Sequence, residues 1–416
     1  MTSTADGLLY HVLAERPGCE LDEFTVSDDG STVAILWNIH GASELQILDN
    51  VDNTLHDPIP LPGMVVSELS ISAGGSMLAM TVEGGPSMPP TVELVDPRTR
   101  EWEPWTASRA VGRCPPTPRW RRHRERRIEV HRVAVSAAGR VETIGAMLFL
   151  HGGPEGGQGR PGYNEFFPGL LEAGICVFLP NVRGSGGFGR SFMHADDRER
   201  RFAAIDDVAD AVRFLTDNGH APPGKVACCG WSYGGYLTQA ALAFHPDEFA
   251  AGISICGMSD LNTWYRSTEQ WIAAAAYPKY GHPISDRDLL EELSPLPRVE
   301  AMTAPPLLLV HGLNDTNVPP SESQQMCDAL SALGRKVDLL LFEDDGHEID
   351  KRENRAVLLK AMTDWLTGLS PSDLFERRFT VFVSGGKTLL RTTRGCVYGG
   401  GTACEEYSDS LCSSGC

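Results

Sequence analysis

Between residues 146 and 342 the chain alternates two textures. Short apolar runs recur at AMLFL (146–150), CVFLP (176–180), KVACC (225–229), GISIC (252–256), PLLLV (306–310) and DLLLF (338–342). Between and after them lie longer helix-like stretches, among them 204–216, 235–245, 321–333 and 353–368. A strand that is apolar at every position has no solvated face, so it belongs in a parallel sheet covered on both sides by helices. The pattern predicts a single α/β domain over 128–368.

The first 110 residues follow a different period. FTVSDDGSTVAIL (24–36) matches LSISAGGSMLAMT (69–81), with Ser27/Ser72 and Gly30/Gly75 both offset by 45 positions. Each copy leads to a further strand ending in Asp, ELQILD (44–49) and TVELVD (91–96). Apolar alternation, a Gly turn and this repeat length describe a β-propeller blade, so 1–112 reads as about two blades. Two blades do not close a ring, and their sheet edges need cover from the α/β domain or a second copy of the chain. A Pro/Arg-rich linker is expected at 113–127. Residues 369–416 do not continue the domain pattern: 370–390 has room for one short strand or helix, and the Gly/Ser/Cys-rich remainder is too poor in large apolar groups to fold alone.

Charge removes some partners. The 416 residues include 55 acidic and 36 basic ones, a formal net charge of −19. Nucleic acid and anionic membrane surfaces call for clustered positive charge, and the one basic cluster, RWRRHRERR at 119–127, is short and sits in the linker. The N-terminus lacks the basic-then-apolar order of a secretory signal, and no apolar stretch is long enough to span a bilayer. Seven of the 11 cysteines are scattered singly or as Cys228-Cys229 among apolar residues, as small buried hydrophobes would be. A reduced, cytoplasmic protein is the expectation.

The chemistry concentrates at GWSYGGY (230–236), a G-x-S-x-G sequence set between a strand and a helix. Glycines on either side let the turn bend sharply enough to stand Ser232 at the strand's C-terminal end. A serine hydroxyl needs a base, and the base needs an orienting acid. Asp315 follows the strand PLLLV in HGLNDTNVP, and His347 follows DLLLF in EDDGHEI, in the order Ser, Asp, His and at one edge of the sheet. Asp344 and Asp345 are weaker candidates for the acid because they share the loop of the histidine. For the oxyanion, the donors are the N–H of Tyr233 and one from the Gly-rich loop of LFLHGGPEGG, with Gly153 preferred to Gly152. This chemistry calls for no metal and no cofactor.

HGGPEGG, PNVRGSGGFGRSF (180–192), GWSYGGY, HGLNDTNVP (311–319) and DDGHEIDKREN (344–354) together resemble the catalytic domain of the prolyl oligopeptidase family. The likeness covers roughly 128–368 and leans to the acylaminoacyl-peptidase and dipeptidyl-peptidase-like members. It implies an α/β-hydrolase fold behind a propeller, and cleavage of short peptides through an acyl-enzyme on Ser232. Three features depart from the family pattern. The propeller is reduced to about two blades, Asn317 stands where many members carry an arginine, and His151 opens the oxyanion loop where prolyl-specific branches often have tyrosine. Asn317, His151 and Trp231 are the substrate-binding candidates.

Two alternatives stand beside the peptidase reading: a carboxylic-ester hydrolase of the same fold, and a peptide-binding remnant without turnover. The segment 392–416 leaves four readings open: a disordered extension, a metal site, disulfide pairing, or a lanthipeptide-core-like substrate tied to peptide maturation. The last rests on Ser410, Ser413 and Cys416 in SLCSSGC, with Thr393, Thr402 and Ser408 near Cys396, Cys404 and Cys412.

Overall fold

A computed structural model of the chain describes residues 2–3, 9–10, 12–104, 143–303 and 305–368, together with backbone strands at 380–384 and 387–391. The linker, its basic cluster and the 392–416 segment lie outside the described residues.

The N-terminal repeat forms two four-stranded antiparallel sheets, each a simple meander. The first contains β1 (Glu20–Val26), β2 (Thr32–Ile39), β3 (Ala42–Asp49) and β4 (Thr54–Leu55). The second contains β5 (Val65–Ile71), β6 (Leu78–Gly84), β7 (Met88–Val95) and β8 (Trp102–Pro104). The 45-residue offset survives at atomic detail in the turns. Ser27 Oγ accepts from Thr32 N at 3.0 Å and Ser72 Oγ accepts from Met77 N at 3.0 Å. Gly30 and Gly75 hold φ values of 74° and 67°, the left-handed conformation that glycine reaches without a Cβ penalty. Ala34, Leu36, Leu45 and Ile47 of the first sheet pack against Val66, Leu78, Met80 and Val82 of the second, as neighbouring blades do.

The second unit is an eight-stranded sheet in the order β10-β9-β11-β12-β13-β14-β15-β16. Its strands are β9 (Gly145–Leu150), β10 (Ile175–Phe178), β11 (Val226–Trp231), β12 (Ala251–Ile255), β13 (Leu307–Gly312), β14 (Val337–Phe342), β15 (Thr380–Ser384) and β16 (Lys387–Arg391). Neighbours are parallel throughout except in the final hairpin. Successive side chains go to opposite faces. Leu148 joins the core under α2 (Arg201–Asp217) and α3 (Tyr233–Phe244), while Met147 joins the one under α1 (Phe166–Glu172) and α4 (Arg352–Leu366). This is the α/β-hydrolase architecture that the six apolar runs predict.

Two differences from the sequence reading stand out. The sheet does not end at 368: β15 pairs in parallel with β14, and β16 closes an antiparallel hairpin onto it. TVFVS and KTLLR are short and sit beside Gly- and Thr-rich sequence, so the alternating rhythm does not announce them. The described cysteines also divide: Cys176, Cys228, Cys229 and Cys256 are buried, but Cys19 and Cys327 are only partly covered. Among the described residues, no helix is long and apolar enough to cross a membrane.

Candidate active site

Ser232 sits between β11 and α3 with φ 58° and ψ −116°. A left-handed conformation at a non-glycine residue stores of the order of 1–3 kcal/mol, and the surroundings must hold it. They do: Ser232 N donates to Ile255 O at 2.8 Å, and Tyr236 N donates to Ser232 O at 3.0 Å. The flanking glycines are steric necessities. A side chain at Gly230 would overlap Gly234, and one at Gly234 would overlap the carbonyl of Leu150. The serine hydroxyl does not cap α3, so the helix makes no claim on it.

Asp315 and His347 meet across two strand ends. Asp315 Oδ2 lies 2.8 Å from His347 Nδ1, and Oδ1 accepts from the amides of Asn317 and Val318, both at 2.9 Å. Burial pushes this carboxyl up. Hydrogen bonds from His311 and His347, the His347 charge and the Val318 N–H outweigh it and hold Asp315 well below the usual carboxylate range. An ionised carboxylate only accepts, so His347 donates through Nδ1 and leaves Nε2 as the basic nitrogen. The other two acids on the loop are engaged elsewhere: Asn354 Nδ2 donates to Asp344 at 2.9 Å and to Asp345 at 2.6 Å.

Tertiary contacts tie this pair to the elbow. Trp231 Nε1, one residue before the serine, donates to His347 O at 2.9 Å. Trp231 therefore supports the histidine loop, in a place where sequence reasoning offers it to substrate. Asn317 is fixed through its carbonyl, which accepts from Trp264 Nε1 at 2.9 Å and Thr268 Oγ1 at 2.7 Å.

The Gly-rich loop after β9 reaches the elbow from the other side. A Cβ at Gly152 would stand 3.7 Å from Ser232 Cβ, so Gly152 abuts the serine. The corresponding position at Gly153 points into its own loop, 3.4 Å from the amides of Glu155 and Gly157. His151 has both ring nitrogens occupied, Nδ1 by Gly152 O at 2.6 Å and Nε2 by Ser185 Oγ at 2.7 Å. Burial lowers its pKa against the opposing pull of the Gly152 carbonyl and Asp196, which favours a neutral ring donating through Nδ1.

Sequence reasoning missed three supports. His311 Nε2 faces Val318 O at 2.7 Å and Asp315 Oδ2 at 3.2 Å, while its Nδ1 meets Ser323 Oγ at 2.7 Å. Its position four residues before Asp315, in HGLND, was the available signal. Cys256 is fully buried against Asp315, and burial first, then the Asp315 charge, pushes its thiol well up. Thirdly, the Tyr233 phenol is held at 2.6 Å by Arg201 and at 3.2 Å by Asp196, which also pair with each other at 2.6 Å. Arg201 and Asp196 are both completely buried, and nothing local in the sequence pairs them.

Residues 165–370 match the model of the prolyl oligopeptidase family. That segment, about half of the chain, belongs to the family. Among its relatives, the dipeptidyl aminopeptidase BIII of Pseudoxanthomonas mexicana is 37% identical over 215 residues, 50% of this chain and 31% of that enzyme. Acylamino-acid-releasing enzyme 2 of Oryza sativa subsp. japonica is 28% identical over 214 residues, 49% of this chain and 27% of its own length. The chain thus spans well under half of the curated relatives it matches. In structure, a puromycin-hydrolyzing peptidase of Mycobacterium tuberculosis superposes with a TM-score of 0.74 at 26% identity, covering 87% of this chain and 54% of that one. The acylaminoacyl peptidase of Pyrococcus horikoshii gives 0.71 at 21% identity over 84% of this chain and 56% of its own, a likeness of fold.

Proposed function

We propose that the chain is a serine peptidase of short peptides, working through Ser232, His347 and Asp315. His347 Nε2 takes the proton from Ser232 Oγ as the oxygen attacks the scissile carbonyl. The negative charge that develops meets the N–H of Tyr233, at the open first turn of α3, and an N–H from the Gly152–Gly153 loop. His347 then protonates the leaving amine, and water hydrolyses the acyl-Ser232 ester by the same route in reverse. Asn317 keeps its side-chain amide for a substrate carbonyl, and the dipeptidyl and acylamino-acid peptidases among the relatives favour oligopeptides as substrates. The observation that carries the reading is the 2.8 Å contact between Asp315 and His347, on a loop tethered to the residue beside Ser232.

An ester substrate places fewer demands on the same groups because its leaving group needs less protonation, so the test compares the two. A fluorophosphonate probe is expected to label the wild-type protein and not Ser232→Ala, and free or N-blocked di- and tripeptide anilides are expected to be turned over. Labelling with hydrolysis of nitrophenyl esters alone would move the assignment to an ester hydrolase. A folded protein that takes no label would leave only a peptide-binding role. A part in peptide maturation rests on the Ser, Thr and Cys pattern of 392–416. An intact mass lacking losses of 18 Da per dehydrated residue in the protein as purified from its native host would remove that part of the proposal.

A further inference from the structure

The loop that brings Gly152 against Ser232 continues into a segment, 157–163, that the N-terminal sheets hold from several directions. Arg160 Nε donates to Gly41 O at 2.9 Å, its Nη2 donates to Ser43 Oγ at 2.9 Å, and its Nη1 pairs with Asp22 Oδ2 at 2.9 Å. One guanidinium thus takes three acceptors from β1, the β2–β3 turn and β3. Beside it, Asn38 Nδ2 donates to Gln158 Oε1 at 2.8 Å and to Asp22 Oδ1 at 3.0 Å. The second sheet adds a contact beyond Arg160: Gly85 N donates to Pro161 O at 2.9 Å. Glu83 accepts from Tyr163 N and is drawn by the Arg160 charge, although burial is the larger effect and raises its pKa.

The contacts run on without a gap to the nucleophile. Gly157 packs so closely that a side chain there would overlap Gly152 O and His151 Nδ1. Gly157 O accepts from Gly186 N at 2.9 Å, and the Gly187 and Gly189 amides next along are held by the Glu20 carboxylate of β1. Gly152 then abuts Ser232. Both sheets therefore grip the strip of chain from which the oxyanion donor comes.

We infer that Arg160 is a positioning residue, through which the N-terminal sheets fix the 151–157 loop in its oxyanion-binding conformation. This inference rests on the proposed peptidase reading for its catalytic consequence, though not for the clamp itself. It also gives the two blade-like sheets a task that needs no closed ring, since they act by contact with the loop. Mispositioning an oxyanion donor by about 1 Å costs on the order of a hundredfold in rate, so a loosened loop lowers kcat more than KM.

The test uses the full chain with Arg160→Met, Asp22→Asn and, as a control, Arg16→Met. Arg16 pairs with Glu44 in the same sheet but does not touch the loop. Backbone hydrogen exchange of 151–157 is expected to speed up about tenfold or more in R160M, and less in D22N, with 226–244 and the whole of R16M unchanged. Ester or anilide turnover in R160M is expected to fall roughly 10–100-fold in kcat with KM within about threefold. Unaltered exchange at 151–157 in R160M overturns the inference, as does faster exchange with full kcat. Should R160M fail to fold, D22N decides by the same two readouts. A wild-type protein without hydrolase activity removes the peptidase reading instead, and loop exchange alone then decides whether the clamp exists.

Discussion

The indole Nε1 of Trp231 donates a 2.9 Å hydrogen bond to the carbonyl oxygen of His347, so the residue preceding Ser232 holds the loop of the histidine. Trp231 ends β11 and His347 lies on the loop after β14, two strands that are not neighbours in the sheet. The bond spans that gap and ties the histidine loop to the elbow.

Trp231→Phe keeps the ring and deletes the donor. A neutral hydrogen bond of this kind contributes about 1 kcal/mol, and the histidine loop loses its nearest tether to the elbow. The expected result is a fall of roughly tenfold in kcat with stability changed by no more than about 1 kcal/mol. Steady-state kinetics and urea unfolding measure both; full kcat in the variant would show that the tether is idle.

Asp315→Asn leaves the shape of the site and removes the charge that selects the His347 tautomer. Turnover is expected to drop by roughly 10⁴-fold. The same substitution changes acid stability, with a definite sign. Asp315 has its folded pKa depressed below the ordinary 3.8, so its contribution is complete above that value and is lost as pH falls towards the folded value. Between about pH 5 and 3, wild type should lose more unfolding free energy than D315N. Equal losses in denaturant titrations at the two pH values would refute the linkage.

Gly234→Ala tests the elbow as a packing problem. The new methyl group meets the Leu150 carbonyl, a main-chain group on β9, which is paired on both sides and has little room to retreat. A cost of about 3 kcal/mol is expected, together with loss of probe labelling at Ser232 as the elbow shifts. Thermal unfolding and labelling are read on the same samples. A stable, fully labelled variant would mean that the elbow tolerates a methyl group.

Asp196→Ala deletes the carboxylate facing Arg201, both groups being wholly buried. The Tyr233 hydroxyl and the Lys279 carbonyl still accept from the guanidinium, at 2.6 and 3.0 Å, but neither carries a compensating charge. Stability should fall by roughly 3–5 kcal/mol, and the double variant with Arg201→Met should recover part of it. A double variant no better than D196A would argue that packing around Tyr233 and Tyr280, and not the unpaired charge, sets the cost.

The sequence by itself determined what local physics writes into neighbouring residues. Six apolar runs became strands because an all-apolar pentapeptide is satisfied only inside a sheet covered on both faces. The 45-residue offset became two matching turns because Ser27 and Ser72 each bond the amide five residues on, next to a left-handed glycine. Ser232, Asp315 and His347 stand out as candidates because each follows its own strand, and strand ends in such a sheet share one rim. Tertiary structure alone decided what meets across long separations in the chain. It turned Trp231 towards the His347 carbonyl and put His311 and Cys256 around Asp315. It placed Gly152 against the serine while Gly153 turned into its own loop, and brought Arg160 within reach of Asp22, Gly41 and Ser43. The terminal strands at 380–384 and 387–391 belong with these, since an edge hairpin is defined by the neighbour that it pairs with. Periodicity reports which side of a residue is dry, whereas a hydrogen bond between residues 116 positions apart depends on where two separately folded loops come to rest.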